Sequence, residues 1–350
     1  MFDVNFDEEF KIITKSDLAP AGNRLRKELA NLDFIAHYAI FSSGTSSRDL
    51  KGYVLSEKAM EANANAVNDW FGLTQYDVWG LSLPVYHVGG LSVLLRARIL
   101  ENRVVDLRKW GPQRWYKTLT DENVTITTIV PTQLYDLVKE NLTAPSKLRY
   151  IIVGGDFLPA ELERRAFDLG WPVIRTYGMT EVCSQLASGQ RPGDPLRVLP
   201  IHEVKTNPEG LLQVKSPALF TAEFTLGQKL QLKFAEEGFY TTQDKVILEG
   251  DKIIPQGRMN QEIKVAGHLT NVLSLKDTLA AILLQEGKYG HAELLIETDE
   301  RKGNRLVLLH QNLSGEIIEK VKNAMKPAVL DDFRIVNEFS RTDLGKMKLS

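Results

Sequence analysis

Three consecutive segments decide the fold: VTITTIV at residues 124–130, PTQLYDLVKENL at 131–142 and LRYIIVGG at 148–155. The first and third are rich in β-branched residues and end at Pro or Gly, which is typical of buried strands. The middle segment begins with Pro131 and carries apolar residues at helical spacing. Strands without polar alternation, joined by a helix, predict a parallel sheet covered by helices.

The same alternation extends from about residue 35 to 180. Further strands are predicted in IAHYAIFSS (35–43), DVWGLSLP (77–84), NRVVDL (102–107) and PVIRTYG (172–178), and further helices in SEKAMEANANAVNDWF (56–71), GGLSVLLRARIL (89–100), PQRWYKTLTDEN (112–123) and PAELERRAFDLG (159–170). The fold class predicted is α/β, a mostly parallel sheet with helices on both faces. Ligands of such sheets bind beyond the carboxyl ends of the strands, so the loops there are the candidate sites.

The rest of the chain shows two other sequence patterns. Short strands separated by turns, at about 190–258, predict a small and mainly antiparallel β unit. Residues after GRMNQ alternate strands and helices in a compact α+β module large enough for its own core. We therefore expect two domains, 1–258 and 259–350, with the boundary at Arg258–Gln261.

Composition excludes several classes of protein. The 350 residues include 43 Lys and Arg against 45 Asp and Glu, a net charge of −2, which removes the electrostatic argument for nucleic acid or an anionic membrane surface. No apolar run reaches the ~20 residues that span a bilayer, so membrane insertion is not expected. The amino terminus lacks the pattern of a secretory signal, and Cys183 alone cannot form an intrachain disulfide. We expect a cytoplasmic protein.

Five segments carry residues suited to chemistry, and each also has an ordinary structural interpretation. Ser42–Gly52 follows a strand and is rich in hydroxyls and glycine, which suits phosphate binding but also a solvated turn. His87, in PVYHVGG, suits a substrate gate or a structural histidine. Arg96, on the next helix, suits a carboxylate ligand or a surface charge.

The remaining segments are YGMTE at 177–181, YTTQD at 240–244 with Gly257-Arg258 downstream, and RTDLGK at 341–346. A threonine beside a carboxylate can hold a phosphate oxygen and Mg²⁺ together. An aspartate can accept both hydroxyls of a ribose. A lysine this close to the end of a chain is by itself a frayed, solvated charge.

Taken in order, the five segments resemble the signature set of the adenylate-forming superfamily, which includes acyl-CoA synthetases, peptide-synthetase adenylation domains and luciferases. The resemblance runs from about Phe41 to Lys346. Within the superfamily, PVYHVGGLSVLLR, IVPTQLYDLV and LRYIIVGGDFLPAEL are most similar to the O-succinylbenzoate–CoA ligase family of menaquinone biosynthesis. The implied function is an ATP-dependent, AMP-forming ligase that joins a small carboxylic acid to CoA through an acyl-adenylate, with Mg²⁺ as cofactor.

The resemblance also implies roles for individual residues. The implied ATP- and AMP-binding residues are Ser42, Ser43, Gly44, Thr45, Ser46, Lys51, Gly154, Gly155, Asp156, Tyr177, Gly178, Thr180, Asp244 and Arg258. Glu181 resembles the Mg²⁺ ligand, and His87 the gate beside the acyl site. Arg96 resembles the arginine that holds a second substrate carboxylate. Lys346 resembles the catalytic lysine of a mobile C-terminal domain that swings about a hinge at Asn260. Thr180, Glu181, His87 and Lys346 form the implied catalytic set.

The chain departs from the family pattern in several respects. The phosphate loop lacks the usual second glycine and Pro-Lys pair, having Ser47 and Leu50-Lys51 there, and Gln243 stands where a glycine often precedes the ribose-binding aspartate. Only about 40 residues precede the phosphate loop, so the resemblance implies a shortened N-terminal region.

Other interpretations remain open. A different aromatic or dicarboxylic acid is one alternative substrate, and a degenerate nucleotide-binding protein without turnover is an alternative function. A homodimer is compatible with either. An oxidoreductase has little support, because Gly154-Gly155 lacks the G-x-G-x-x-G spacing of a dinucleotide turn.

Overall fold

The computed structural model describes residues 10–29, 32, 34–41, 50–235, 238–259, 262–265, 268–299, 303–326, 328 and 330–339. The strands are β1 (Phe10–Ile13), β2 (His37–Phe41), β3 (Leu50–Ser56), β4 (Val78–Leu81), β5 (Arg103–Asp106), β6 (Ile126–Ile129), β7 (Tyr150–Val153), β8 (Val173–Met179), β9 (Ser184–Ser188), β10 (Arg197–Val198), β11 (Glu203–Thr206), β12 (Leu211–Lys215), β13 (Ala222–Leu226), β14 (Leu230–Phe234), β15 (Tyr240–Glu249), β16 (Lys252–Arg258), β17 (Glu262–Val265), β18 (His268–Asn271), β19 (Ala292–Asp299), β20 (Gly303–His310) and β21 (Asp332–Ile335).

The α-helices are α1 (Ala19–Leu29), α2 (Glu57–Phe71), α3 (Val88–Ile99), α4 (Pro112–Asp121), α5 (Pro131–Lys139), α6 (Ala160–Asp168), α7 (Val272–Gln285) and α8 (Gly315–Ala324), and short 3-10 helices lie at Ser16–Leu18 and Thr180–Val182. None of the helices in the described ranges is long and apolar enough to cross a bilayer.

The central sheet has eleven strands in the order β11-β12-β15-β16-β10-β9-β8-β7-β6-β4-β5. Its β8-β7-β6-β4-β5 half is entirely parallel. These five strands and the helices that connect them confirm the predicted α/β class.

Alternating residues of β7 face opposite helical layers, because successive side chains of a strand point to opposite faces. Ile151 and Val153 belong to a buried cluster with residues of α4, α5 and α6, whereas Ile152 belongs to a cluster with residues of α2 and α3. Helices therefore cover both faces of the parallel half, as the sequence predicts.

Two strand placements differ from the sequence pattern. β2 is not part of the parallel half: it pairs with β1 and β3 in a separate five-stranded sheet, β1-β2-β3-β13-β14. The β-rich stretch after residue 190 is antiparallel, as predicted, but it does not form a sheet of its own. β9 pairs with both β8 and β10, so most of these strands extend the central sheet, while β13 and β14 join the five-stranded one. Apolar periodicity identifies a strand but carries no information about which sheet it joins.

Residues from β17 onward form a hairpin (β17-β18) and a three-stranded sheet (β19-β20-β21) with α7 and α8. α7, α8 and this sheet enclose a hydrophobic cluster of their own. α7 also packs on α6, and Leu284 reaches the core cluster of the parallel sheet. This face of α7 therefore connects the C-terminal elements to the larger core.

Candidate active site

A tight turn presents Thr180 and Glu181 at the carboxyl end of β8. The turn reverses the chain into β9 through Cys183 and Ser184, both non-glycine residues with positive φ (59° and 130°). It closes because Gly178 has no side chain: a Cβ there would lie 1.9 Å from the Ser184 carbonyl oxygen. Positive φ at non-glycine residues is costly and is concentrated at functional sites.

Tyr177, Asp244 and Arg258 meet beside this turn. Asp244 and Arg258 are directly opposite each other on β15 and β16. The Tyr177 hydroxyl donates to Asp244 Oδ2 at 2.6 Å, and Arg258 Nε lies 3.4 Å from Asp244 Oδ1. Burial raises the pKa of Tyr177 well above its usual value, so the phenol stays protonated and remains a donor. The Asp244 carboxylate is therefore held between a donor and a cation.

Glu181 is the half-buried acid of the site. The Tyr53 hydroxyl donates to Glu181 Oε1 at 2.9 Å. Burial raises the pKa of Glu181, and the negative charge of Asp244 raises it further, whereas Arg258 opposes the shift. No lysine or arginine of the described ranges forms an ion pair with Glu181. A cation bound beside this carboxylate would therefore favour its ionised form.

The segment after β7 is shaped by two glycines. A Cβ at Gly154 would lie 2.4 Å from Thr176 Cγ2, and Gly155 has φ +80°. Asp156 follows, with Oδ1 accepting from the Phe157 amide at 2.8 Å. Asp156 lines a small cleft of about 90 Å³ whose opposite wall comes from α7 and the chain around β19, including Lys276, Tyr289 and Glu293.

His87 and Arg96 lie at the two ends of α3. His87 is the N-cap residue, its ring 4.9 Å from that of Tyr86. Arg96 is only 1% exposed, and burial lowers its pKa to about 9. Its Nη2 donates to Ser184 Oγ at 3.4 Å, its guanidinium carbon lies 5.9 Å from the centroid of the Trp79 ring, and its buried Nε has no partner. Among the residues described, no carboxylate pairs with Arg96.

The structure thus brings together Tyr177, Gly178, Thr180, Glu181, Asp244 and Arg258. Arg96 reaches the same turn through Ser184, and Lys51 is exposed on β3. The predicted residues Ser42, Ser43, Gly44, Thr45, Ser46, Asn260 and Lys346 lie outside the described residues.

Sequence reasoning missed Tyr53 and Phe220. Tyr53 contacts Glu181 from a different sheet, and the Phe220 amide donates to the Glu181 carbonyl at 2.9 Å. The only local signal was the run YVL at 53–55, which is too short to distinguish from the start of the next helix.

The chain matches known proteins at the level of sequence and of fold. The family model for AMP-binding enzymes matches residues 14–205, more than half of the chain. A 2-succinylbenzoate–CoA ligase of Bacillus cytotoxicus is 35% identical over 151 residues, 43% of this chain and 31% of the relative. One of Bacillus pumilus is 31% identical over 185 residues, 51% of this chain and 37% of the relative.

Solved structures show the same fold at lower identity. The O-succinylbenzoate coenzyme A synthetase (MenE) of Bacillus subtilis in complex with ATP and magnesium superposes with a TM-score of 0.73 at 22% identity, over 88% of this chain and 68% of that one. The same enzyme with the acyl-adenylate intermediate OSB-AMP gives a TM-score of 0.75 at 21% identity, over 97% and 77%. ATP-bound MatB of Rhodopseudomonas palustris gives 0.73 at 21%, over 89% and 66%.

These matches carry different weights. The aligned region spans only about a third of the length of the curated relatives, and the structural neighbours, at this identity, support the fold alone. Membership of the family does not depend on the relatives or on the structural neighbours. The family model itself covers the parallel sheet, the Gly154–Asp156 segment and the Tyr177–Glu181 turn. The chain belongs to the AMP-binding enzyme family.

Proposed function

We propose that the protein is an ATP-dependent carboxylate–CoA ligase that acts on O-succinylbenzoate through an acyl-adenylate. The observation that carries the proposal is the meeting of Tyr177, Glu181, Asp244 and Arg258 at the end of β8 in a member of the AMP-binding family. The curated relatives that it matches are named 2-succinylbenzoate–CoA ligases.

Asp244 is suited to hold the ribose of ATP. Its two oxygens are oriented by Tyr177 and Arg258, so the carboxylate is fixed before any ligand arrives. A carboxylate held in this way can accept hydrogen bonds from both ribose hydroxyls. The ring of Tyr177 would then lie against the adenine, with the Gly154–Asp156 segment beside it.

Glu181 is suited to hold Mg²⁺. Mg²⁺ is typically bound through one or two carboxylates, with substrate phosphates and water completing its ligands. The described residues contain no cluster of three or more His, Cys, Asp or Glu that would enclose a metal by itself, which agrees with a site shared with ATP. When bound there, Mg²⁺ would offset the negative charge of the phosphates.

The reaction joins two anions, so the site must supply positive charge and donors. A substrate carboxylate oxygen bonds to the α-phosphorus of ATP, the bond from phosphorus to the pyrophosphate oxygen breaks, and pyrophosphate leaves. The CoA thiol then loses its proton to solvent and its sulfur bonds to the acyl carbon, the bond from that carbon to the phosphate oxygen of AMP breaks, and AMP leaves. We assign Thr180 to the α-phosphate, Lys346 to the reacting carboxylate and phosphate, and Ser42–Ser46 with Lys51 to the outer phosphates.

Arg96 is the residue that favours O-succinylbenzoate among carboxylic acids. O-succinylbenzoate has two carboxylates, only one of which is activated. Arg96 is a buried cation without a carboxylate partner in the described part of the chain, and its Nε is unsatisfied. Burying an unpaired cation is unfavourable, so an anionic substrate group is the partner that this environment lacks. His87, at the other end of α3, would border the acyl group.

Adenylation and thioester formation need different groups at the same position in the site: Lys346 for the first and CoA for the second. We propose that domain 259–350 turns about a hinge at Asn260, so that Lys346 serves adenylation and then withdraws to admit CoA. ATP and CoA are both cytoplasmic metabolites, so we place the activity in the cytoplasm. A homodimer stays an untested expectation.

Exchange of labelled pyrophosphate into ATP, measured with a panel of acids, tests the proposal. We expect exchange with O-succinylbenzoate, little with benzoate or succinate, and thioester formation when CoA is added. Exchange only with other acids would contradict the substrate assignment. ATP binding without exchange for any acid would instead support a nucleotide-binding protein without turnover.

A further inference from the structure

Tyr53 connects the five-stranded sheet to the acid of the candidate site. It lies on β3, two residues after the segment Ser42–Lys51 that resembles a phosphate loop. Its hydroxyl donates to Glu181 Oε1 at 2.9 Å, although the two residues are 128 positions apart in the chain. The hydrogen bond joins the central sheet to a neighbouring one.

The ring of Tyr53 is held by other aromatic side chains. It packs edge-on against Phe220 with centroids 5.3 Å apart, and Phe220 packs edge-on against Tyr240 at 5.0 Å. The Phe220 amide donates to the Glu181 carbonyl at 2.9 Å. Both the backbone and the side chain of Glu181 are therefore tied to the same aromatic group.

The backbone that carries Tyr53 has little freedom to move. β3 is an interior strand, with Tyr53 opposite Ile40 on β2 and Glu223 on β13. At the preceding Gly52, a Cβ would lie 2.2 Å from the Ile40 carbonyl oxygen and 2.3 Å from Phe224 Cζ. The packing of β3 is therefore close enough to place the phenol reproducibly.

We propose that Tyr53 is a positioning residue for the Glu181 carboxylate, and this rests on the proposed function of Glu181 as the Mg²⁺ ligand. By engaging Oε1, the phenol fixes the rotamer of Glu181 and the direction of its other oxygen. Partners of this kind, which bind a metal ligand rather than the metal, commonly change metal affinity 10–100-fold when removed. Tyr53 thus sets how effectively Mg²⁺ assists ATP binding.

Calorimetric ATP titrations at a series of Mg²⁺ concentrations test this, because they need no acid substrate and no turnover. In Tyr53→Phe, which removes only the hydroxyl, we expect the Mg²⁺ concentration for half-maximal enhancement of ATP binding to rise about tenfold. ATP affinity without Mg²⁺ should be unchanged. Tyr116→Phe, the same change in the core beside Trp171, is the matched control and should leave both quantities unaltered.

A double-mutant cycle with Glu181→Gln shows whether Tyr53 acts through Glu181. We expect no further loss of Mg²⁺ dependence when Tyr53→Phe is added to Glu181→Gln. An unchanged Mg²⁺ dependence in Tyr53→Phe, or additive effects in the cycle, would overturn the inference. If Tyr53→Phe does not fold, Phe220→Leu can replace it, because this variant removes the edge-on support of the phenol. We expect Phe220→Leu to raise the same Mg²⁺ requirement. An unchanged requirement would overturn the inference. Absence of any Mg²⁺ effect on the unsubstituted protein would instead contradict the proposed function of Glu181.

Discussion

Arg96 is a buried cation to which we have assigned a substrate carboxylate, and its surroundings allow that proposal to be tested. Its side chain is buried against Trp79 and Ser184, and the described residues offer it no carboxylate. Replacing a buried charge with an apolar group of similar size is often neutral or stabilising. The proposal that Arg96 binds a substrate carboxylate therefore predicts opposite effects of its replacement on stability and on substrate binding.

Arg96→Met should therefore separate the two effects. We expect the free energy of unfolding to stay unchanged or rise by about 1–2 kcal/mol in denaturant titrations. We also expect KM for O-succinylbenzoate to rise about a hundredfold, because a buried anion loses its cation. Arg98→Met is the control on the same helix: its guanidinium is partly exposed and pairs with Glu57 and Glu61. A large loss of stability in Arg96→Met would contradict this interpretation.

His202 supplies a pH dependence that is independent of the active site. Its Nε2 bonds to the Gln185 carbonyl at 3.1 Å and its Nδ1 to Ser216 Oγ at 2.8 Å. Burial lowers its pKa to about 4 from an ordinary value near 6.5. Below pH 6.5 the unfolded chain binds a proton that the folded chain does not, so the stabilising contribution is complete above pH 6.5 and is lost as the pH falls towards 4.

Unfolding titrations between pH 7 and pH 4 measure that contribution. The free energy of unfolding should fall by about 3 kcal/mol more in the unsubstituted protein than in His202→Gln. Equal slopes for the two proteins would show that His202 does not titrate in this way.

The turn between β8 and β9 is the element on which the site depends. It carries Thr180 and Glu181. It can form only because Gly178 has no Cβ, which leaves room for the Ser184 carbonyl oxygen. The assignment of Gly178 to the nucleotide site thus has a structural explanation: the glycine shapes the turn whether or not it contacts a ligand.

Gly178→Ala should distort this turn. Because the obstructing atom is backbone, we expect a loss of about 3 kcal/mol or more in the free energy of unfolding and a large loss of ATP affinity. Gly111→Ala is the matched control, since nothing lies within 4 Å of its Cβ position. If Gly178→Ala kept the ATP affinity and the stability of the unsubstituted protein, the result would be inconsistent with the geometry of this turn.

Elements with local signals were predictable from the sequence, and contacts between elements were not. The parallel strands and their helices follow from periodicity and from residues such as Pro112 and Pro131 at helix starts. β2 was recognised as a strand, but its sheet depends on pairing with β1 and β3, which no local pattern encodes. Tyr53 was missed for the same reason, because its importance comes from Glu181, 128 positions away.

At the scale of the whole molecule, the contact between α6 and α7 links the C-terminal elements to the parallel sheet. The N-cap residue of α6 is Pro159, whose side chain makes no capping hydrogen bond, and the Ala160 amide instead donates to Asp277 Oδ1 of α7 at 2.9 Å. The rings of Tyr135 and Tyr289 lie 4.7 Å apart at the same interface. Asp277 thus caps a helix of one proposed domain from the other.

Asp277→Ala should loosen this interface. Loss of a helix cap costs about 1 kcal/mol, so we expect faster amide exchange at Ala160–Leu162 and faster proteolysis between residues 259 and 262. Asp277→Asn keeps an acceptor and should behave nearly as the unsubstituted protein. Unchanged exchange and proteolysis in Asp277→Ala would mean that the contact does not hold the two parts together.

Formation of the acyl-adenylate is the step on which the proposed function depends. Enzyme in excess over O-succinylbenzoate, with ATP and Mg²⁺ but no CoA, can be quenched within one turnover and analysed by mass spectrometry. The predicted result is O-succinylbenzoyl-AMP and pyrophosphate in equal amounts, with neither formed by Asp244→Ala. Appearance of ADP and phosphate, or no product although ATP binds, would contradict an adenylate-forming ligase.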